Sequence, residues 1–81
     1  MDEQIAIRIS QLIEEKFDVP GTAITNETDF VRDLGVDSLD LYELIVEVEK
    51  EFRISIPDEE AEKIKTVGDA VRYIEEVTEK A

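Results

Sequence analysis

The sequence predicts a small all-α protein, a four-helix bundle of three main helices and one short one, in a single domain spanning residues 1–81. Three observations predict it. Apolar residues recur at helical spacing in three separate stretches. Both prolines fall between those stretches. The one alternating segment, Ile54-Ser55-Ile56, is too short for a strand.

The first helix is expected from about Asp2 to Phe17, with Ile5, Ala6, Ile9, Leu12, Ile13 and Phe17 forming one apolar stripe. Early acids suit the positive end of its dipole, and Asp18-Val19-Pro20-Gly21 stops it. Residues 18–36 then form a loop longer than most, and loops of that length are often functional. Ile24, Phe30 and Leu34 are spaced to reach back into a core, and the four-residue step from Phe30 to Leu34 suits a short helical turn.

The second helix begins at Asp37, a good N-cap, with Asp40 at the N3 position of an approximate capping box, and runs to about Phe52. Leu41, Leu44, Ile45, Val48 and Phe52 make its core stripe. Leu39, Tyr42, Val46 and Glu49 fall on an adjacent face, which is more apolar than a single buried stripe requires. Pro57-Asp58-Glu59-Glu60 opens a short helix with Pro near N1, and Ala61 and Ile64 face inward. The last helix runs from about Thr66 to Thr78. Thr66 and Asp69 supply a capping box, and Val67, Ala70, Val71, Ile74 and Val77 its stripe.

Composition excludes several function classes. There is no Cys and no His, hence no disulfide, no thiolate or imidazole metal site, and no Ser-His-Asp triad. The net charge of −13 argues against nucleic acid and against anionic membrane surfaces. It favours a basic protein partner, and its self-repulsion predicts that salt stabilises the fold. The acids are densest over residues 37–63, where 10 stand against 3 bases. No apolar stretch approaches the roughly 20 residues that span a bilayer, and the opening Met-Asp-Glu-Gln is unlike a signal peptide. A cytoplasmic protein without membrane insertion is expected.

The carboxylates Asp37, Asp40 and Glu43 share a helix region, but as an N-cap and a solvated face rather than a buried acid–base pair. Asp29, Asp33, Asp37 and Asp40 do not match calcium-loop spacing, so no metal site is expected. Gly35 is a lone turn glycine. Ser38 remains. It falls in the first turn of the second helix, near the positive dipole end, a favourable place for a phosphate group. No base stands beside it, so any chemistry at Ser38 must be done to it by another protein.

Asp33-Leu34-Gly35-Val36-Asp37-Ser38-Leu39-Asp40 resembles the attachment motif of acyl carrier proteins. Tyr42-Glu43-Leu44-Ile45, Glu49-Lys50-Glu51-Phe52 and the run from Ile56-Pro57-Asp58-Glu59-Glu60 to Val67 continue the resemblance over nearly the whole chain. It implies an acyl-carrier-like bundle in which Ser38 holds a covalent 4′-phosphopantetheine arm, installed from coenzyme A by a phosphopantetheinyl transferase. Such a protein is a carrier, not an enzyme. The arm's thiol holds acyl groups, which accounts for a chain without Cys.

Carried over by position, the acyl-chain pocket would include Phe30, Leu44, Val48, Ile56, Ala61 and Ile64. The docking face would include Asp37, Leu39, Asp40, Glu43, Val46, Glu49 and Glu62. The implied partners are the transferase and the synthases and reductases of fatty acid synthesis, with basic docking patches; the carrier is expected to be a monomer. Tyr42, Glu47, Lys50 and Arg53 depart from the residues usual in fatty-acid carriers at their positions. A specialised carrier for a polyketide or another dedicated acyl pathway is the second reading. An unmodified acidic helical adaptor is the third.

Overall fold

The computed structural model describes residues 3–79. It contains α1 (Glu3–Phe17), a single 3-10 turn (Gly21–Ala23), α2 (Ser38–Phe52), α3 (Asp58–Ala61) and α4 (Val67–Glu79). The all-α class and the division into three main helices and one short helix agree with the sequence. The expected start of α1 at Asp2 lies outside the described residues. Among the described residues there is no strand, only an isolated antiparallel bridge between Asp29 and Thr66.

The three stripes meet in one core. Ile5, Ile9, Leu12 and Ile13 of α1 are buried with Leu44, Ile45 and Val48 of α2 and Val67, Ala70, Val71 and Ile74 of α4. Burying each of these larger side chains contributes about 1.5–3 kcal/mol. Leu41 and Phe52 are only half-buried at the margin, and Val77 is half-buried near the end of α4.

Helix ends follow local chemistry. Asp18 takes a left-handed φ of 55° and donates its N–H to Glu14 O at 2.9 Å, so α1 turns off one step before Val19-Pro20-Gly21. Arg53 does the same after α2, with φ 56° and its N–H on Glu49 O. Pro57 stands at the N-cap of α3 rather than at N1 as the sequence suggested; its extended backbone (φ −62°, ψ 152°) precedes the first helical residue, Asp58. At α4 the capping box is complete. Asp69 N–H donates to Thr66 Oγ1 at 3.1 Å, and Asp69 Oδ2 accepts from Thr66 N–H at 3.1 Å.

The long loop packs inward. Phe30 is buried and Leu34 half-buried on the same core, carried by the helical turn their spacing suggested, with Asp33 N–H donating to Asp29 O at 2.9 Å. The same loop is laced to the start of α4. Phe30 N–H donates to Lys65 O at 3.1 Å, Val67 N–H to Thr28 O at 3.0 Å and Gly68 N–H to Asn26 O at 2.8 Å. The last two satisfy N–H groups that a helix start leaves without a partner inside the helix. Thr28, a buried polar residue, is held by Thr25, whose N–H donates to its Oγ1 at 2.8 Å.

Candidate functional site

Three residues deliver Ser38 to the surface. Gly35 takes a left-handed φ of 67°, and an added Cβ would meet nothing within 4 Å, so backbone conformation alone calls for glycine there. Val36 turns inward with 3% exposure, and its N–H donates to Phe30 O at 2.9 Å. It stands at N′ of α2 and Leu41 at N4, the two positions of a hydrophobic staple; Val36 belongs to the core cluster and Leu41 packs against it. Asp37 then caps the helix, its Oδ1 accepting from Asp40 N–H at 2.8 Å. Anchored at Val36, the chain emerges so that Asp37, Ser38 and Leu39 are all exposed. The sequence singled out Asp37 and Ser38; the anchoring role of Val36 it missed, although an apolar residue just before an N-cap is the recognisable signal.

The residues expected on a docking face lie along α2 and at the end of α3, and they differ in exposure. Leu39 is 65% exposed, and Tyr42 beside it is 58% exposed. Asp37, Glu43 and Glu62 are exposed, whereas Asp40, Val46 and Glu49 are half-buried. Glu43 is paired with Lys16 of α1, Nζ to Oε1 at 3.2 Å. Glu49 reaches away from that face, and its Oε2 accepts from Ile56 N–H at 2.7 Å.

The six residues expected to form an acyl pocket divide between two neighbouring spaces. Phe30, Leu44, Val48, Ile56 and Ile64 line an apolar internal cavity of about 20 Å³. Ala61 instead lines a groove of about 410 Å³ whose rim carries Val31, Arg32, Glu62 and Lys65. Leu41 and Ile64 line both. The cavity has room for about one water molecule. Leu41, three residues and nearly one helical turn after Ser38, belongs to the apolar stripe of α2 and lines both spaces as well.

Three of the four acids weighed as a calcium loop, Asp29, Asp33 and Asp37, accept backbone N–H groups. Asp29 Oδ1 accepts from the N–H groups of Arg32 at 2.8 Å and Val31 at 2.9 Å, and Asp33 Oδ2 accepts from Asp29 N–H at 2.7 Å. The bond from Arg32 is the main reason the Asp29 carboxyl lies below its ordinary range, despite the opposing effect of desolvation. Among the described residues no group of three or more carboxylates is placed to hold a metal ion. No helix there is long and apolar enough to cross a membrane.

Residues 7–74 match the family described as a phosphopantetheine attachment site. The chain is 53% identical over 73 residues to the acyl carrier protein of Lactobacillus acidophilus, covering 90% of this chain and 91% of that protein. It is 53% identical over 68 residues to the acyl carrier protein of Helicobacter pylori, covering 84% and 87%. The chain belongs to the acyl carrier protein family. Its fold agrees: the structure of the acyl carrier protein from Enterococcus faecalis superposes with a TM-score of 0.77 at 39% identity, covering 89% of this chain and 91% of that one. The protein is therefore a carrier of acyl groups and not an enzyme, and its prosthetic group is a covalent 4′-phosphopantetheine.

Proposed function

We propose that Ser38 bears the 4′-phosphopantetheine, and that this carrier presents acyl groups to the enzymes of fatty acid synthesis as a cytoplasmic monomer. The observation that carries the reading is the placement of Ser38. The chain has three serines. Ser10 is half-buried within α1, and Ser55 lies in the extended segment between α2 and α3. Ser38 alone is exposed at the first residue of a long helix.

The residues fit the group. The positive end of α2 favours the negative charge of a phosphodiester, and an exposed hydroxyl without a neighbouring base suits modification by an external transferase. When bound, the arm supplies a thiol that holds acyl groups as thioesters. The chain's own residues do the rest. Asp37, Asp40, Glu43 and Glu62 offer charge to a basic partner, with Glu49 contributing through the α2–α3 segment it tethers. Leu39 and Val46 add apolar contact. Phe30, Leu44, Val48, Ile56, Ala61 and Ile64 shelter the apolar part of the cargo.

One observation favours a specialised carrier as the second reading: Tyr42, at a position where fatty-acid carriers usually have a small aliphatic residue, is largely exposed beside Leu39. Acyl transfer with enzymes of fatty acid synthesis, compared with those of a polyketide pathway, separates the two. The attachment itself is tested by intact mass. Incubation with coenzyme A, Mg²⁺ and a phosphopantetheinyl transferase is expected to add one arm to the wild-type chain and none to Ser38→Ala. An arm on Ser38→Ala would contradict the proposal.

A further inference from the structure

Glu43 and Glu47 stand four residues apart on the outer side of α2, where like charges repel across one helical turn. Lys16, in the last turn of α1, sits between them. Its Nζ lies 3.2 Å from Glu43 Oε1 and 3.7 Å from Glu47 Oε2. The Lys16 side chain is only 20% exposed, while those of Glu43 and Glu47 are 51% and 48% exposed. The Lys16 side chain is thus more covered than the two carboxylates it faces. Its hydrogen bond to Glu43 is the main reason its pKa lies above the ordinary lysine value.

This arrangement bears on docking. A cation arriving from a partner meets a carboxylate that already has one. Lys16 already bonds Glu43 Oε1, so the partner's cation must share the carboxylate with Lys16 or displace it. We infer that Lys16 sets the strength of the docking face: by holding Glu43 in a pre-formed pair, it weakens that carboxylate's hold on a partner's cation. The inference rests on the proposed use of Glu43 in docking.

The test uses the full chain and initial rates of arm transfer by a phosphopantetheinyl transferase at low salt, for wild type, Lys16→Gln, Glu43→Gln, the double variant and Arg8→Gln. Arg8 is the control, since it pairs with Glu51 at 2.8 Å and its loss changes net charge equally without touching Glu43. Lys16→Gln is expected to lower KM roughly two- to fivefold, the range an exposed pair supports, with kcat unchanged. The gain fades at high salt and is absent from the double variant, which matches Glu43→Gln. Arg8→Gln leaves KM near wild type.

Three results overturn the inference: Lys16→Gln with an unchanged or raised KM while Glu43→Gln raises it, a gain in Arg8→Gln equal to that in Lys16→Gln, or a gain that survives in the double variant. Glu43→Gln rates equal to wild type would remove the docking role of Glu43 and the inference with it. A wild-type chain that accepts no arm would remove the attachment reading as well.

Discussion

Glu49 and Ile56 are joined across the end of α2: the Glu49 carboxylate accepts the Ile56 backbone N–H at 2.7 Å. A half-buried acid of α2 thus fixes the segment that carries Ile56, a buried wall of the internal cavity. Glu49→Ala leaves that N–H without its partner. A loss of about 1–3 kcal/mol is expected, read by chemical denaturation. Glu49→Gln keeps an acceptor oxygen and should lose less. Charge reversal at Glu49 would disturb docking and folding together, so Glu43 is the cleaner position at which to probe docking.

Gly68 predicts a result that helix propensity alone gets backwards. In an ordinary helix, Gly→Ala stabilises by about 1 kcal/mol. Here an added Cβ would lie 2.8 Å from the Asn26 carbonyl oxygen, the atom that accepts the Gly68 N–H. Gly68→Ala must push the loop off α4, and about 1–3 kcal/mol of destabilisation is expected, as for other overpacked sites. A thermal melt checks the sign: a higher Tm would contradict the lacing of the loop to α4.

These two bonds also mark what could be read from the sequence. Helical periodicity located three stripes, and caps such as Thr66 with Asp69 located helix starts, because both are local patterns. The attachment motif located Ser38. The bond from Ile56 to Glu49 and the bonds from Val67 and Gly68 to the loop 26–28 depend on how distant segments approach, which no local pattern specifies. A glycine in the first turn of an otherwise good helix was the one hint. The expected pocket is legible as apolar positions, but that Ala61 lines a groove apart from the cavity of the other five is a property of packing.

Acid should weaken the start of α4. Desolvation alone would raise the Asp69 pKa, but the N–H groups of Lys65 and Thr66, the Thr66 hydroxyl and Arg72 more than offset it, and the carboxyl lies below its ordinary range. A group with a depressed folded pKa contributes fully above its unfolded value of about 3.9 and loses that contribution as pH falls through the folded value. Thermal melts across the acid range should fall below about pH 4, and Asp69→Asn should show a shallower fall than wild type.

Salt should act in the stabilising direction at neutral pH. At −13 the folded chain repels itself, and screening shortens that repulsion from about 30 Å at 0.01 M salt to about 3 Å at 1 M. The pairs Arg8–Glu51 and Lys16–Glu43 weaken under the same conditions, but solvent-screened pairs of this kind contribute little to stability. A Tm that rises between those two ionic strengths is expected; a fall would mean that the pairs outweigh the repulsion.

Attachment at one hydroxyl underlies the proposed carrier role, and the position of the arm tests it most directly. After loading with coenzyme A and a phosphopantetheinyl transferase, proteolysis and fragment mass analysis can distinguish the three serines of the chain. The arm is expected on Ser38 alone. An arm on Ser55 or Ser10, with Ser38 unmodified, would contradict attachment at Ser38.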